Sequence, residues 1–71
     1  MDLADIPTDL LLQHIDTLQN MLVHMVRYFP HTGCFDQDVE EMKQYIYKWE
    51  SEADARHLSY KHIDERLQEI N

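Results

Sequence analysis

A histidine and a cysteine with two residues between them, His31 and Cys34, have the spacing of a zinc-ligand pair in a turn. His24 lies about two turns earlier in a predicted helix and is a third candidate ligand. His57 and His62 are five apart, a separation that does not place both on one face of a helix. The chain offers no evident fourth ligand. We expect no metal or other cofactor, and we keep metal binding as an alternative function.

Catalysis by a nucleophile needs a thiol or hydroxyl beside a base, with a third group to orient the base. Cys34 has only His31 near it in sequence, in a short turn without a cleft. Gly33 is the single glycine, so the chain cannot form a glycine-rich phosphate loop. Carboxylates are plentiful, but two helices provide no pocket to shift their pKa values. We therefore predict that the protein is not an enzyme.

Acidic residues outnumber basic ones by fourteen to six, which gives a formal net charge of −8. Such a chain is repelled by phosphates and anionic lipid, so we expect neither direct nucleic-acid binding nor membrane association. The candidate acidic surface comprises Glu40, Glu41, Glu50, Glu52 and Asp54. If these side chains project outward together, they imitate a row of phosphates. An acidic nucleic-acid mimic that blocks a DNA- or RNA-binding protein is therefore an alternative function.

The length of 71 residues predicts a single helical domain over residues 1–71. Apolar runs are no longer than three residues, such as Leu10–Leu12, which excludes a membrane span. The first residues lack the basic and apolar regions of a secretory signal. One cysteine cannot form an internal disulfide and suits a reducing compartment. We expect a cytoplasmic protein.

Helix breakers are confined to Pro7, Pro30 and Gly33, which predicts an all-α antiparallel hairpin with helices at about 8–29 and 36–70. The first helix has an apolar seam with alternating spacings of 4 and 3: Leu11, Ile15, Leu18, Leu22, Met25 and Phe29. The second has a seam with the same alternation: Val39, Met42, Ile46, Trp49, Ala53, Arg56, Tyr60, Ile63, Leu67 and Ile70. Ser51 and Asp54 resemble a capping box, so a three-helix bundle with a break near residue 51 is the alternative fold.

The two predicted helices differ in length, and a hairpin leaves the C-terminal residues Ile63, Leu67 and Ile70 without a packing surface. From Met21 to Phe29 the first helix is also apolar around more of its circumference than one neighbour covers. Both features favour a homodimer in which two hairpins form a four-helix bundle.

The function that these surfaces predict is protein binding, as a small adaptor, inhibitor or antitoxin-like regulator of a larger protein. Exposed tyrosines and apolar residues are frequent anchors of such contacts. The candidate partner-binding residues are Tyr45, Tyr47, Leu58, Ile63, Leu67 and Ile70.

Overall fold

The computed structural model describes residues 3–28 and 35–70, with no side-chain description for residues 35 and 36. Its elements are a short 3₁₀ helix at Leu3–Asp5, α1 at Thr8–Tyr28, α2 at Phe35–Ala55 and α3 at Ile63–Gln68. Leu11 and Ile15 pack with Ala53, whereas Leu22 packs in a cluster with Val39, so α1 and α2 run antiparallel. The predicted all-α helical hairpin is confirmed. Within the described residues, no helix combines the length and apolar character needed to cross a membrane.

The apolar seam of α1 faces α2 as its spacing predicts. Its four buried apolar residues follow spacings of 4, 3 and 4: Leu11, Ile15, Leu18 and Leu22. The helix starts after Pro7, whose carbonyl accepts the N–H of Leu11 at 2.9 Å. Proline is tolerated there because the first N–H groups of a helix have no intrahelical partner.

The seam of α2 is confirmed as far as Ala53. Val39, Ile46 and Ala53 are buried at seven-residue intervals, and the half-buried Met42 and Trp49 lie between them. Trp49 contacts both apolar clusters of the core. It therefore connects the cluster around Leu22 to the one around Leu11.

The second helix does not continue to residue 70: it ends at Ala55, and an irregular segment at 56–62 leads to α3. The N–H of Leu58 bonds the Ala53 carbonyl at 3.1 Å, and the N–H of His57 bonds the Asp54 carbonyl at 3.0 Å. These bonds form a Schellman motif, with His57 in the left-handed position at φ 59°. Leu58 packs against the cluster that contains Ala53, as this motif favours.

The prediction of one continuous helix over 36–70 is therefore wrong. The alternative of three helices with a break near residue 51 agrees better with the structure, in which α2 ends at Ala55. Ser51 lies inside α2, and the helix ends four residues later. The stop requires a residue with positive φ, a position usually occupied by glycine. Here histidine occupies it, so the positions of glycine and proline do not indicate the stop.

The break also corrects the expectation that the C-terminal residues have no packing surface. Ile63 is fully buried in the cluster with Leu18, Leu22 and Ile46. Leu67 packs against the same cluster, and Ile70 is half-buried. The chain turns back on itself, so these residues no longer require a second hairpin to cover them.

Candidate protein-binding face

One side of the hairpin is closed by the chain's own C-terminal segment, and a buried carboxylate holds that segment. Glu50 is 4% exposed, and its Oε2 accepts hydrogen bonds from the backbone N–H of Ile63 and from Gln19 Nε2, both at 2.8 Å. Gln19 Nε2 also donates to the Lys61 carbonyl at 2.8 Å. The side chain of His62, the N-cap residue of α3, makes no capping hydrogen bond. Glu50 therefore supplies from α2 the cap that α3 lacks locally.

A second set of polar side chains holds the irregular segment before α3 in place. The hydroxyl of Tyr60 is 2.9 Å from the Glu50 carbonyl and 2.8 Å from Asp54 Oδ1, and His62 Nε2 is 2.9 Å from the same Oδ1. Burial opposes ionisation of Asp54, but hydrogen bonds from Tyr60 and His62 outweigh it and lower the pKa of the carboxyl. Burial also opposes the charged form of His62, yet Asp54 raises the pKa of this imidazole above its ordinary value. Burial and Asp54 raise the pKa of Tyr60.

Helix α3 is anchored to both helices of the hairpin. Tyr47 donates to Asp64 Oδ1 at 2.7 Å, and this hydrogen bond is the main reason that the pKa of Tyr47 is raised to about 12. Arg66 donates to Gln19 Oε1 at 3.1 Å and also bonds the side-chain oxygen of Asn20. These contacts occupy the side of α1 that carries Gln19 and the side of α2 that carries Tyr47.

Arg56 connects the end of α2 to the beginning of the chain. Its guanidinium bonds Glu52 at 3.1 Å, the carbonyl oxygens of Leu3 and Ala4 at 3.0 and 3.3 Å, and the hydroxyl of Thr8 at 3.3 Å. Arg56 was the one charged position in the predicted seam. In the structure it does not pack in the core but holds Leu3 and Ala4 against the end of α2.

On the opposite side of the hairpin, the 3₁₀ helix Leu3–Asp5 contacts the end of α2, and no other described element covers this side. Its large apolar side chains are substantially exposed: Leu10 at 56%, Met21 at 55% and Tyr28 at 61% on α1, and Tyr45 at 47% on α2. At 3.6 residues per turn, positions 10, 14, 21 and 28 lie on the side of α1 away from Gln19. We define the open face as these four exposed residues together with His14 and Trp49.

His14 and Trp49 join the two helices within the open face. Their rings are 4.1 Å apart, and the ring of Trp49 lies 6.3 Å from that of Tyr45. A shallow groove beside them has a mainly apolar lining: Ile6, Leu10, Gln13, His14, Thr17 and Trp49. His14 Nε2 is buried and has no hydrogen-bond partner among the described residues. The groove is therefore an apolar surface with one unsatisfied polar atom beneath it.

Of the predicted partner-binding residues, only Tyr45 lies on the open face. Tyr47 is half-buried and bonded to Asp64, and Leu58 packs in the core beside Ala53. Ile63 cannot reach a partner because it is fully buried. Sequence reasoning missed Leu10 and His14, although their spacing to Met21 and Tyr28 forms a second helical stripe parallel to the seam.

Leu67 and Ile70 lie on the closed side of the hairpin. Leu67 packs against the core cluster that contains Ile63, and Ile70 lines a shallow depression with Val23 and Arg27. Neither residue lies on the open face.

The acidic residues do not form the single outward row that a phosphate mimic requires. Glu50 is buried, which corrects its assignment to the surface. Glu52 is paired with Arg56, and Asp54 bonds Tyr60 and His62. The remaining two are also engaged locally: Glu40 pairs with Lys43 and Glu41 accepts from Gln37.

The possible zinc ligands His31 and Cys34 lie outside the described residues. His24 is exposed, and its ring lies 4.6 Å from that of Tyr28. Within residues 3–28 and 35–70, no three His, Cys, Asp or Glu side chains are close enough to hold a metal ion. The metal hypothesis therefore depends on the turn.

No family model matches the chain, and neither a curated protein nor a solved structure is significantly similar to it. Function must therefore be argued from the surface of the molecule.

Proposed function

We propose that this protein is a non-catalytic regulator that binds a larger protein through the open face. The observation that carries the proposal is that, among the described residues, the most exposed large apolar side chains lie together on one side of the hairpin. Full burial of one such side chain is worth about 1.5–3 kcal/mol. Covering the exposed half of four would contribute roughly 3–6 kcal/mol before the costs of association. An apolar patch of this kind is typical of an interaction site.

We do not propose catalysis, because the polar side chains with the most hydrogen bonds already hold parts of the fold together. Glu50 caps α3, Asp54 bonds Tyr60 and His62, and Arg56 holds the first residues of the chain. A catalytic acid, base or nucleophile needs a free position in a cleft with a substrate. The groove at Trp49 is shallow and mainly apolar, which suits a side chain of a partner better than a reacting group.

The partner that we propose is a different protein, although the sequence also predicts a homodimer. The C-terminal part of the argument for a dimer no longer applies, since Ile63 and Leu67 pack within one chain. The remaining support for the predicted homodimer is the exposed apolar surface of the open face. We also propose a cytoplasmic location, because the single cysteine suits a reducing compartment.

Photo-crosslinking from the open face tests the proposal. A photoreactive amino acid replaces Met21 in one variant and Gln44, an exposed residue of α2 off the open face, in a matched control. Irradiation in cells of the native host should join the Met21 variant to one defined protein and leave the Gln44 variant unlinked. Equal adducts from both positions, or none from Met21, would contradict binding through the open face.

A double substitution gives an independent readout. Met21→Ser with Tyr45→Ala should weaken binding of the crosslinked partner by about tenfold or more, because both side chains lose apolar contact area. Gln44→Ala should leave the affinity unchanged. Far-ultraviolet circular dichroism would establish that each variant keeps its helices. Unchanged affinity of the folded double variant would overturn the proposal.

A further inference from the structure

The connection between α2 and α3 has the features of a hinge. His57 has φ 59°, a conformation that strains any residue with a β-carbon. Its imidazole is exposed and makes no hydrogen bond to a described residue, so no side-chain contact offsets this strain. The N–H groups of residues 59–62 also donate to no atom of the described chain. The backbone of this connection is therefore strained at one residue and makes few hydrogen bonds of its own.

The sequence of this connection is compatible with a helix. Residues 56–62 contain no glycine or proline. The apolar seam of α2 keeps its alternating spacings of 3 and 4 across them: Ala53, Arg56, Tyr60, Ile63, Leu67 and Ile70. In a helix, the N–H groups of 59–62 would bond the carbonyl oxygens four residues earlier, and residue 57 would have negative φ. The chain therefore has a second conformation available, in which α2 and α3 form a single helix.

That single helix would carry α3 away from its own hairpin. A helix of six residues is not stable alone, and α3 is ordered by its contacts with α1 and α2. Ile63 is fully buried in one cluster with Leu22 and Ile46, and Arg66 bonds Gln19. An extended chain leaves this position empty on its own hairpin. The α3 of a second copy has the residues that fit it.

The order of the contacts shows that the C-terminal segment, residues 56–70, runs antiparallel to α2. Later residues of the segment meet earlier residues of α2: Leu58 packs with Ala53, Ile63 bonds Glu50, and Asp64 bonds Tyr47. A two-fold axis near Arg56 would place the α2 of a second copy antiparallel beside the extended helix. The same residue pairs would then meet between the two copies, in the same order.

We propose that two copies of this chain exchange their C-terminal segments and form a domain-swapped dimer in which α2 and α3 are one helix. Glu50 of each copy accepts the Ile63 N–H of the other, so the buried contacts of α3 are kept. The exchange releases the strain at His57 and adds helical hydrogen bonds at 59–62. Association costs entropy, so the dimer forms as the protein concentration rises.

The exchange leaves the open face exposed, because α3 docks on the opposite side of the hairpin. The dimer therefore carries two open faces, and a target with two binding sites would bind it more tightly than it binds the monomer. The exchange itself does not depend on the proposed function, since no residue of the open face takes part in it.

A matched pair of substitutions at residue 57 tests the exchange. His57→Gly and His57→Ala both remove the exposed imidazole, but glycine favours positive φ whereas alanine favours the helix. Each variant is unfolded, refolded at rising concentration and measured by sedimentation equilibrium. His57→Ala should dimerise with a dissociation constant at least about a hundredfold lower than that of His57→Gly, because each dimer contains two such residues. The parent should lie between them.

Nuclear Overhauser effects between copies locate α3 in the dimer of His57→Ala. The sample mixes ¹³C-labelled and unlabelled chains, and the spectrum is filtered for contacts between a labelled and an unlabelled copy. Ile63 of one copy should show such contacts with Leu22 of the other, since both belong to one core cluster. Leu11 and Ala53 are the internal control, because the packing of α1 on α2 stays within one copy.

Three results would overturn the proposal: equal dissociation constants for the two variants, monomers at every concentration, or a dimer in which Ile63 contacts Leu22 only within one copy. A dimer that Tyr45→Ala abolishes would also overturn it, since the copies would then meet through the open face. Crosslinking from Met21 to a different protein would still support the proposed function in each of these cases.

Discussion

The carboxylate of Glu50 in α2 accepts the backbone N–H of Ile63, the first residue of α3, at 2.8 Å. Both residues are buried, so the bond is shielded from water. It joins the start of a six-residue helix to the middle of the long hairpin. A helix this short is not stable alone. We therefore expect α3 to depend on this contact.

Replacing Glu50 with alanine should lower the free energy of unfolding by about 2–4 kcal/mol. The change leaves the Ile63 N–H and Gln19 Nε2 without their shared acceptor in a buried site. Urea denaturation followed by circular dichroism measures the loss. The exposed Glu65→Ala variant should stay within about 0.5 kcal/mol of the parent. A similar loss in both variants would show that Glu50 has no special role.

Replacing His57 with glycine should stabilise the protein by about 0.5–1 kcal/mol. His57 has φ 59°, where a side chain is strained and glycine is not. Ser59→Gly is the control, because Ser59 lies in the same irregular segment without positive φ. Glycine there increases the conformational entropy of the unfolded chain, so this variant should be neutral or destabilised. Thermal unfolding distinguishes the two. A lower melting temperature for His57→Gly would mean that its imidazole has stabilising contacts that outweigh the strain.

Substitution of His14 by phenylalanine should raise the free energy of unfolding by about 1 kcal/mol. The aromatic contact with Trp49 is kept, and the buried Nε2 without a partner is removed. His14→Gln loses the ring and keeps a polar group, so it should destabilise the protein. Chemical denaturation of the parent, His14→Phe and His14→Gln gives the order of their free energies of unfolding. If His14→Phe is the least stable, the nitrogen has a partner in solution.

The pair of Asp54 and His62 should make stability depend on pH. The pKa of His62 is raised on folding, so its contribution is fully present below the ordinary histidine value of about 6.5 and is lost as the pH rises through the folded value. The pKa of Asp54 is lowered, so its contribution is present above its ordinary value of 3.8 and is lost as the pH falls through the folded value. The pair is therefore most stabilising between these limits.

The expected size of this effect is below about 1 kcal/mol, since the side chains of His62 and Asp54 are 40% and 53% exposed. Urea denaturation at pH 5.5 and pH 8.5 should show a larger loss for the parent than for His62→Gln. The same pH dependence in both proteins would assign the change to other groups.

Much of the hairpin could be predicted from apolar spacing. The positions of Leu11 and Ile15 on α1 and of Ile46 on α2 follow from it, because a helix buries the side that repeats every three or four residues. The end of α2 could not be predicted, since a Schellman motif with histidine at its left-handed position leaves no glycine in the sequence. The burial of Ile63 depends on that stop, which explains why its site assignment failed.

The binding face was predicted less well than the fold. Tyr45 is exposed as expected, but Tyr47, two residues away, points to the α3 side of the helix and bonds Asp64. The side of the hairpin on which the C-terminal segment docks is decided by contacts between residues far apart in sequence, such as Arg66 with Gln19. Periodicity along one helix cannot show which of two flanks such a segment will choose.

Because Glu50 is buried beneath the C-terminal segment, the two sides of the hairpin differ in the surface that they offer to another protein. Displacement of the C-terminal segment would leave the Glu50 carboxylate without the Ile63 N–H and the Gln19 amide without the Lys61 carbonyl, with only their bond to each other intact. An apolar side chain that covered this side would bury these polar groups at a cost in free energy. Beside Trp49, the buried polar atom is His14 Nε2, which already lacks a partner among the described residues, so covering the groove breaks no described hydrogen bond of this atom. We therefore expect an apolar segment of another protein to bind the Trp49 side of the hairpin in preference to the side that carries Glu50 and Gln19.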